Sequence, residues 1–173
     1  VYAQKNLRAS YEAVKANKGA AGADHQTIEM FEKRREENLA RLSRQLREGT
    51  YQPHPVRRVM IPKPGSTQKR PLGIPSLRDK VVQKALLGAI EPIFEQEFAE
   101  HSYGFRPMRG CKDALRRVQQ LLDDGHCWVV DADLKSYFDT IDHEILMARI
   151  EQKISDGKIL LLIRQFLKQG VLE

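Results

Sequence analysis

The sequence predicts an α+β fold rich in helix, on three observations. Several stretches carry apolar residues at helical spacing. Residues Val56 to Ile61 alternate with the two-residue period of a strand and run into a Pro/Gly turn. Residues Cys127 to Ala132 form a short apolar run bounded by polar residues, which reads as a buried strand.

Taken in order, residues 5 to 17 form a short helix with Leu7, Tyr11 and Val14 on one side, ended by the glycine-containing turn 17–22. From Thr27 to Glu48, the positions of Ile28, Phe31, Leu39, Leu42 and Leu46 predict one amphipathic helix, stopped by Gly49. Val56 to Ile61 opens a hairpin whose turn is Pro62, Lys63, Pro64, Gly65 and Ser66. Its return arm holds Lys69, Arg70, Pro71, Leu72, Gly73, Ile74 and Pro75. Basic side chains near such a tip can reach over a triphosphate. Ser76 and Asp79 make a capping-box pattern that opens a helix through Val81, Val82, Ala85, Leu86 and Ala89, kinked or ended at Pro92. A loop from His101 to Gly110 interleaves Tyr103 and Phe105 with Arg106 and Arg109, residue types suited to stacking and to phosphate contact, although packed loop aromatics are commoner. Residues 111 to 124 give another amphipathic helix ended by Gly125. The strand at Cys127 follows, then helices from Asp142 to Ile154 and from Asp156 to Lys168.

Composition narrows the function. Of 173 residues, 41% are hydrophobic and 30% charged, which suits a folded chain with a real core rather than a disordered one. Two cysteines, Cys111 and Cys127, lack metal-ligand spacing and suggest neither a zinc site nor a disulfide framework. No apolar run reaches membrane-spanning length, and the first residues lack a signal-peptide pattern, so a cytoplasmic protein without a membrane partner is expected. The first residue is not Met and the last residues carry no terminal signal, so the chain reads as a piece of something longer. Residues 41–80 alone hold a net charge of +8, against +1 before them and −3 after. A basic segment beside a mildly acidic one points to a polyanion partner, with a cation-requiring site in the acidic part.

The chemistry centres on residues 129–143, where Asp131 and Asp133 end the apolar run. Residues two apart on a strand point to one face, so both carboxylates can project together. That outlines a site for magnesium, which prefers one or two carboxylates plus substrate phosphates. Carboxylates at a strand end also serve simply as turn or helix caps. A short Asp-x-Asp pattern alone would equally suit a glycosyltransferase or a phosphatase.

Four blocks, in order, resemble the reverse transcriptases of bacterial group II introns, also called intron-encoded maturases. They are Asn17 to Asp24, Pro55 to Pro75, Tyr103 to Gly110 and Asp131 to His143. The resemblance covers nearly the whole chain. It implies a right-hand polymerase: N-terminal extension helices in 1–50, fingers with the β-hairpin in 51–110, and the start of a palm in 111–173, with a palm strand carrying the catalytic Asp. It implies Asp133 as the first catalytic carboxylate and metal ligand, with the Leu134 backbone carbonyl completing that part of a two-ion magnesium site. Phe138 falls where a ring excludes the ribose 2′-hydroxyl, and Lys63 and Arg70 match the grip on the incoming triphosphate. Asp139 and Asp142 are read as turn and cap residues. Arg57, Arg58, Lys69, Arg106 and Arg109 are the expected nucleic-acid contacts. The implied partners are group II intron RNA or another template RNA, a DNA primer and deoxynucleoside triphosphates, with a homodimer left open. The family's Tyr/Phe-Ala-Asp-Asp hairpin does not occur in these residues, so the segment is expected to be inactive alone. The competing expectation is an RNA-binding module that assists intron splicing without polymerase activity.

Overall fold

Leu7 and Tyr11, one helical turn apart, begin a core to which every long helix of the N-terminal half contributes. The computed structural model describes residues 1–65 and 67–172; Ser66, part of the predicted turn, and the terminal Glu173 lie outside them. The helices are α1 (Gln4–Ala16), α2 (Ile28–Glu32), α3 (Arg35–Glu48), α4 (Leu77–Glu95), α5 (Cys111–Asp123), α6 (Tyr137–Thr140), α7 (His143–Glu151) and α8 (Gly157–Leu167). The strands are β1 (Val56–Pro62), β2 (Lys69–Ile74) and β3 (Val171–Leu172). They form one sheet in the order β2-β1-β3, antiparallel between β1 and β2 and parallel between β1 and β3.

The chain divides into two compact units. The first joins Val1–Ile90 to the segment from His143 onward, and the second is Glu91–Asp142. In the first, α3 buries Leu39, Leu42 and Leu46 on one stripe, and α4 buries Leu77, Val81, Val82, Ala85 and Leu86. Met147 of α7 and Leu162 and Ile163 of α8 join the same cluster with Leu7, Tyr11, Phe31 and Tyr51. Each full burial of a side chain of this size stabilises by about 1.5–3 kcal/mol, so this cluster dominates the unit's stability over its exposed ion pairs. Tyr11 stacks on Phe31 with centroids 5.0 Å apart, and its hydroxyl donates to Glu32.

Local signals end most elements where the sequence places them. Thr27 caps α2 by accepting the Met30 N–H, Gly49 leaves α3 at φ 73°, and Asp156 caps α8 by accepting the Lys158 and Ile159 N–H groups. One expectation is corrected and another narrowed. The single helix over 27–48 is two helices, broken at Lys33 and Arg34, where Arg34 takes φ −130° and ψ 37°. The break is held by a side chain that periodicity does not reveal: buried Asn38 donates to the Phe31 carbonyl at 3.1 Å. Of the two outcomes expected at Pro92, a kink or an end, the second is ruled out, since Pro92 lies inside α4.

The second unit contains no buried residue. Its α5 is followed by Gly125 at φ 90° and leaves Leu115, Val118 and Leu122 largely exposed. The strand expected over 127–132 is absent, and residues 126–134 carry no regular structure. A strand exists through its ladder, and among the described residues nothing pairs with this run. Trp128 and Val130 are accordingly 95% and 94% exposed.

Candidate functional site

The β1–β2 hairpin positions the basic residues of the first unit. Its register sets Ile61 opposite Arg70 and Pro62 opposite Lys69, and the Lys63 N–H donates to the Gln68 carbonyl at 2.9 Å, which carries the ladder one step further. Paired residues share a face and alternate residues return to it. Lys63 and Arg70 therefore lie on one face, together with Arg57, while Arg58 and Lys69 belong to the other. Lys63, Arg70, Arg58 and Lys69 are exposed. Arg57 is half-buried, and its Nε is buried without a hydrogen-bond partner.

The base of the hairpin is built around a carboxylate that sequence reading treats only as a helix cap. Asp79 is fully buried and accepts the Tyr51 hydroxyl at 2.5 Å and the His54 N–H at 2.9 Å. Half of the expected capping box is present: the Asp79 N–H donates to Ser76 Oγ at 3.3 Å, while the carboxylate turns to Tyr51 and His54. The Arg78 guanidinium lies 4.9 Å from the centre of the Tyr51 ring, with Nε 3.6 Å from Asp79. It also donates to the Gln52 carbonyl at 3.2 Å. Burial, and then the Asp79 charge, hold the Tyr51 hydroxyl well above the usual phenol range.

The turn 17–24 closes on this base. A Cβ on Gly22 would meet the Ser76 backbone at 2.5 Å, so only glycine lets the two backbone segments approach this closely. Lys80 donates to the Ala20 carbonyl at 2.5 Å, and burial pulls its ammonium below the usual range. His54 lies 3.7 Å from the Asp24 carboxylate, and the Val56 N–H donates to the Gly170 carbonyl at 2.9 Å.

In the second unit, Asp133, Leu134 and Phe138 line an open depression with Ala132, Ser136, Tyr137 and Asp139. Ser136 takes φ 52°, a left-handed turn that leads from the irregular segment into α6. Phe138 is 84% exposed and meets Tyr137 edge-on at 5.4 Å. Asp131 and Asp133 are both exposed. The donors Asp131, Asp133 and the Leu134 carbonyl are hard oxygens, right in kind for magnesium. They are short in number: among the described residues no three metal-binding side chains cluster.

The loop before α5 uses its arginines in two ways. Arg106 is a clamp. Its guanidinium binds Glu95 at 2.7 and 2.9 Å, donates to the carbonyls of Ala99 and Ser102, and lies 5.2 Å from the centre of the Phe98 ring. With its side chain only 6% exposed, it shapes the loop and offers little to a partner. Arg109 donates to the Glu100 carbonyl and borders an exposed basic concavity with Arg116 and Arg117. No helix among the described residues is long and apolar enough to cross a membrane.

Comparison with known proteins bears on this arrangement. A family model described as reverse transcriptase (RNA-dependent DNA polymerase) matches residues 61–172. Protein YkfC of Escherichia coli (strain K12) is 45% identical over 161 residues, covering 90% of this chain and 42% of that protein. Group II intron-encoded protein LtrA of Lactococcus lactis subsp. cremoris is 42% identical over 166 residues, covering 95% of this chain and 27% of that protein. Nuclear intron maturase 1, mitochondrial, of Arabidopsis thaliana is 33% identical over 94 residues, 54% of this chain and 13% of that protein. The chain thus spans less than half the length of these relatives.

Proposed function

Because the chain belongs to the reverse transcriptase (RNA-dependent DNA polymerase) family, we propose that it forms the fingers and the beginning of the palm of a group II intron-type enzyme that copies RNA into DNA. In this reading the fingers occupy 51–110 and the palm begins at 111. One observation carries it: the family match contains, in order, Lys63, Arg70, Asp133, Leu134 and Phe138.

In the reaction, the primer 3′-hydroxyl attacks the α-phosphorus of a deoxynucleoside triphosphate. A new P–O bond forms as the hydroxyl releases its proton to solvent, the bond to the β-phosphate oxygen breaks, and pyrophosphate leaves with the electron pair. Lys63 and Arg70, on one face of the hairpin, bind the β- and γ-phosphates and neutralise charge as it moves to the leaving group. Phe138 presents a ring where a 2′-hydroxyl would sit and so favours the deoxy sugar. Asp133 with the Leu134 carbonyl would hold magnesium, which when bound supplies charge stabilisation to the reacting phosphate in a two-ion arrangement. Template RNA and primer contact Arg58, Lys69 and Arg109, with Arg57 at the hairpin base and Arg106 acting through the loop it clamps. Catalysis here is mainly positioning and electrostatics.

Primer extension on an RNA template tests this reading, using the 173-residue chain, a longer protein that carries it, and the longer protein with Asp133→Ala. The expected result is DNA synthesis by the longer wild type alone. Undiminished extension by the Asp133→Ala protein would overturn the polymerase reading. If splicing assistance were then lost on replacing Arg58 and Lys69, the RNA-binding alternative would stand in its place.

A further inference from the structure

The hairpin that carries Lys63 and Arg70 stands on two feet, and both end on the same buried carboxylate. One foot is the segment Tyr51 to Pro55, leading into β1; the other is Pro75 to Leu77, leading out of β2. Asp79 accepts from Tyr51 and from the His54 N–H on the first foot, and its own N–H is held by Ser76 on the second. Ser76 already caps α4, so the helix alone does not require a carboxylate buried at this depth. Burying a charge is costly unless it is fully hydrogen-bonded, and here the bonds tie the feet to each other. Arg78, stacked on Tyr51 and bonded to the Gln52 carbonyl, stiffens the first foot. Gly22 wedges the turn 17–24 against the second.

We propose that Asp79 is a positioning residue for nucleotide addition: by joining the two feet it fixes where Lys63 and Arg70 stand, and through them the pose of the incoming triphosphate. The inference rests on the reading that these two residues grip the triphosphate. Leverage makes the effect large. A strand advances about 3.3 Å per residue, so Lys63 stands roughly 30 Å from the His54 foot, and a tilt of about 2° at the base moves it by about 1 Å. A misplacement of that size far from the chemistry can cost about a hundredfold in rate.

The test is steady-state addition of a single deoxynucleotide by the longer protein carrying this chain. The variants are Asp79→Ala, Asp79→Asn and Tyr51→Phe, with Asp79→Ala also placed in a Lys63→Ala/Arg70→Ala background. Asp79→Ala should raise the nucleotide KM about tenfold or more. Tyr51→Phe, which deletes one bond and keeps the ring under Arg78, should raise it less, and Asp79→Asn should restore most of the loss. In the Lys63→Ala/Arg70→Ala background, Asp79→Ala should add no further change. An unchanged KM in Tyr51→Phe and Asp79→Ala, or an equal increase with and without Lys63 and Arg70, would overturn the proposal and leave the triphosphate reading intact. An unchanged nucleotide KM in the Lys63→Ala/Arg70→Ala protein would remove that reading, and the proposal with it.

Discussion

Replacing Gly22 by alanine adds one methyl group at the point where the turn 17–24 presses on the hairpin base. That methyl would sit 2.5 Å from Ser76 Cα and N and 2.7 Å from the Pro75 carbonyl carbon. All three are backbone atoms, and the approach is roughly 1 Å short of ordinary contact. No side chain can rotate away, so either the turn lifts or the start of α4 shifts. Overpacking of this kind costs about 1–3 kcal/mol. The Ser76–Asp79 cap and the Lys80 bond to Ala20 lie in the path of either movement and add to the loss. Urea unfolding of Gly22→Ala followed by circular dichroism should show a lower midpoint at unchanged slope. Gly157→Ala, where an added Cβ meets nothing within 4 Å, serves as the control. If Gly22→Ala unfolds within about 0.5 kcal/mol of wild type, the ordinary range for surface changes, the close packing of the turn on the hairpin base is refuted.

Other outcomes follow from the same geometry. Tyr51→Phe strips Asp79 of one of its donors and should destabilise by about 1–3 kcal/mol in the same unfolding assay. Tyr11 and Tyr51 both have raised folded-state pKa values, chiefly from burial. Their protonated form is therefore favoured by folding: the stabilisation is fully present below the unfolded-state value of about 10 and is lost as pH climbs beyond it toward the folded-state values. An ultraviolet titration should show these two phenols ionising together with unfolding, a step that shrinks in Tyr11→Phe and Tyr51→Phe. Arg106→Ala frees Glu95 and the carbonyls of Ala99 and Ser102, so limited proteolysis should cut residues 96–110 faster while the urea midpoint of the first unit stays unchanged. RNA binding should weaken with salt, and Arg58→Ala and Lys69→Ala should each reduce the slope of log affinity against log salt by about 1. A slope unaffected by both changes would place the phosphate contacts elsewhere.

Most helices are legible in the sequence because their signals are local: apolar spacing for α1, α4 and α5, with Gly49 and Gly125 as stops. What escaped was set by distant partners. The break between α2 and α3 follows no proline or glycine and depends on Asn38 reaching the Phe31 carbonyl. β3 is two residues long and exists through parallel pairing with β1, which no local pattern encodes. The apolar run at Cys127 has strand composition but no ladder. At the candidate site, the identities of Lys63, Arg70, Asp133 and Phe138 came from resemblance. The shared face of Lys63 and Arg70 needs the register, and the second role of the carboxylate at the hairpin base is hidden because Ser76-x-x-Asp79 looks like an ordinary cap. The clamp at Arg106 is equally hidden, since a basic residue between aromatics suggests a ligand contact and only burial shows what it holds.

The hairpin register also governs which changes of length the chain can absorb. Lys63 and Arg70 share a face only while Lys63 lies an even number of positions along the chain from its face-mates Val59 and Ile61 on β1. One residue inserted between Ile61 and Lys63 would turn the lysine to the opposite face and split the pair without disturbing the core. Beyond the Lys63–Gln68 pair the parity no longer applies, so the tip can lengthen freely. A short peptide tag or a fluorophore-bearing residue placed there would report on the hairpin without altering its two cations.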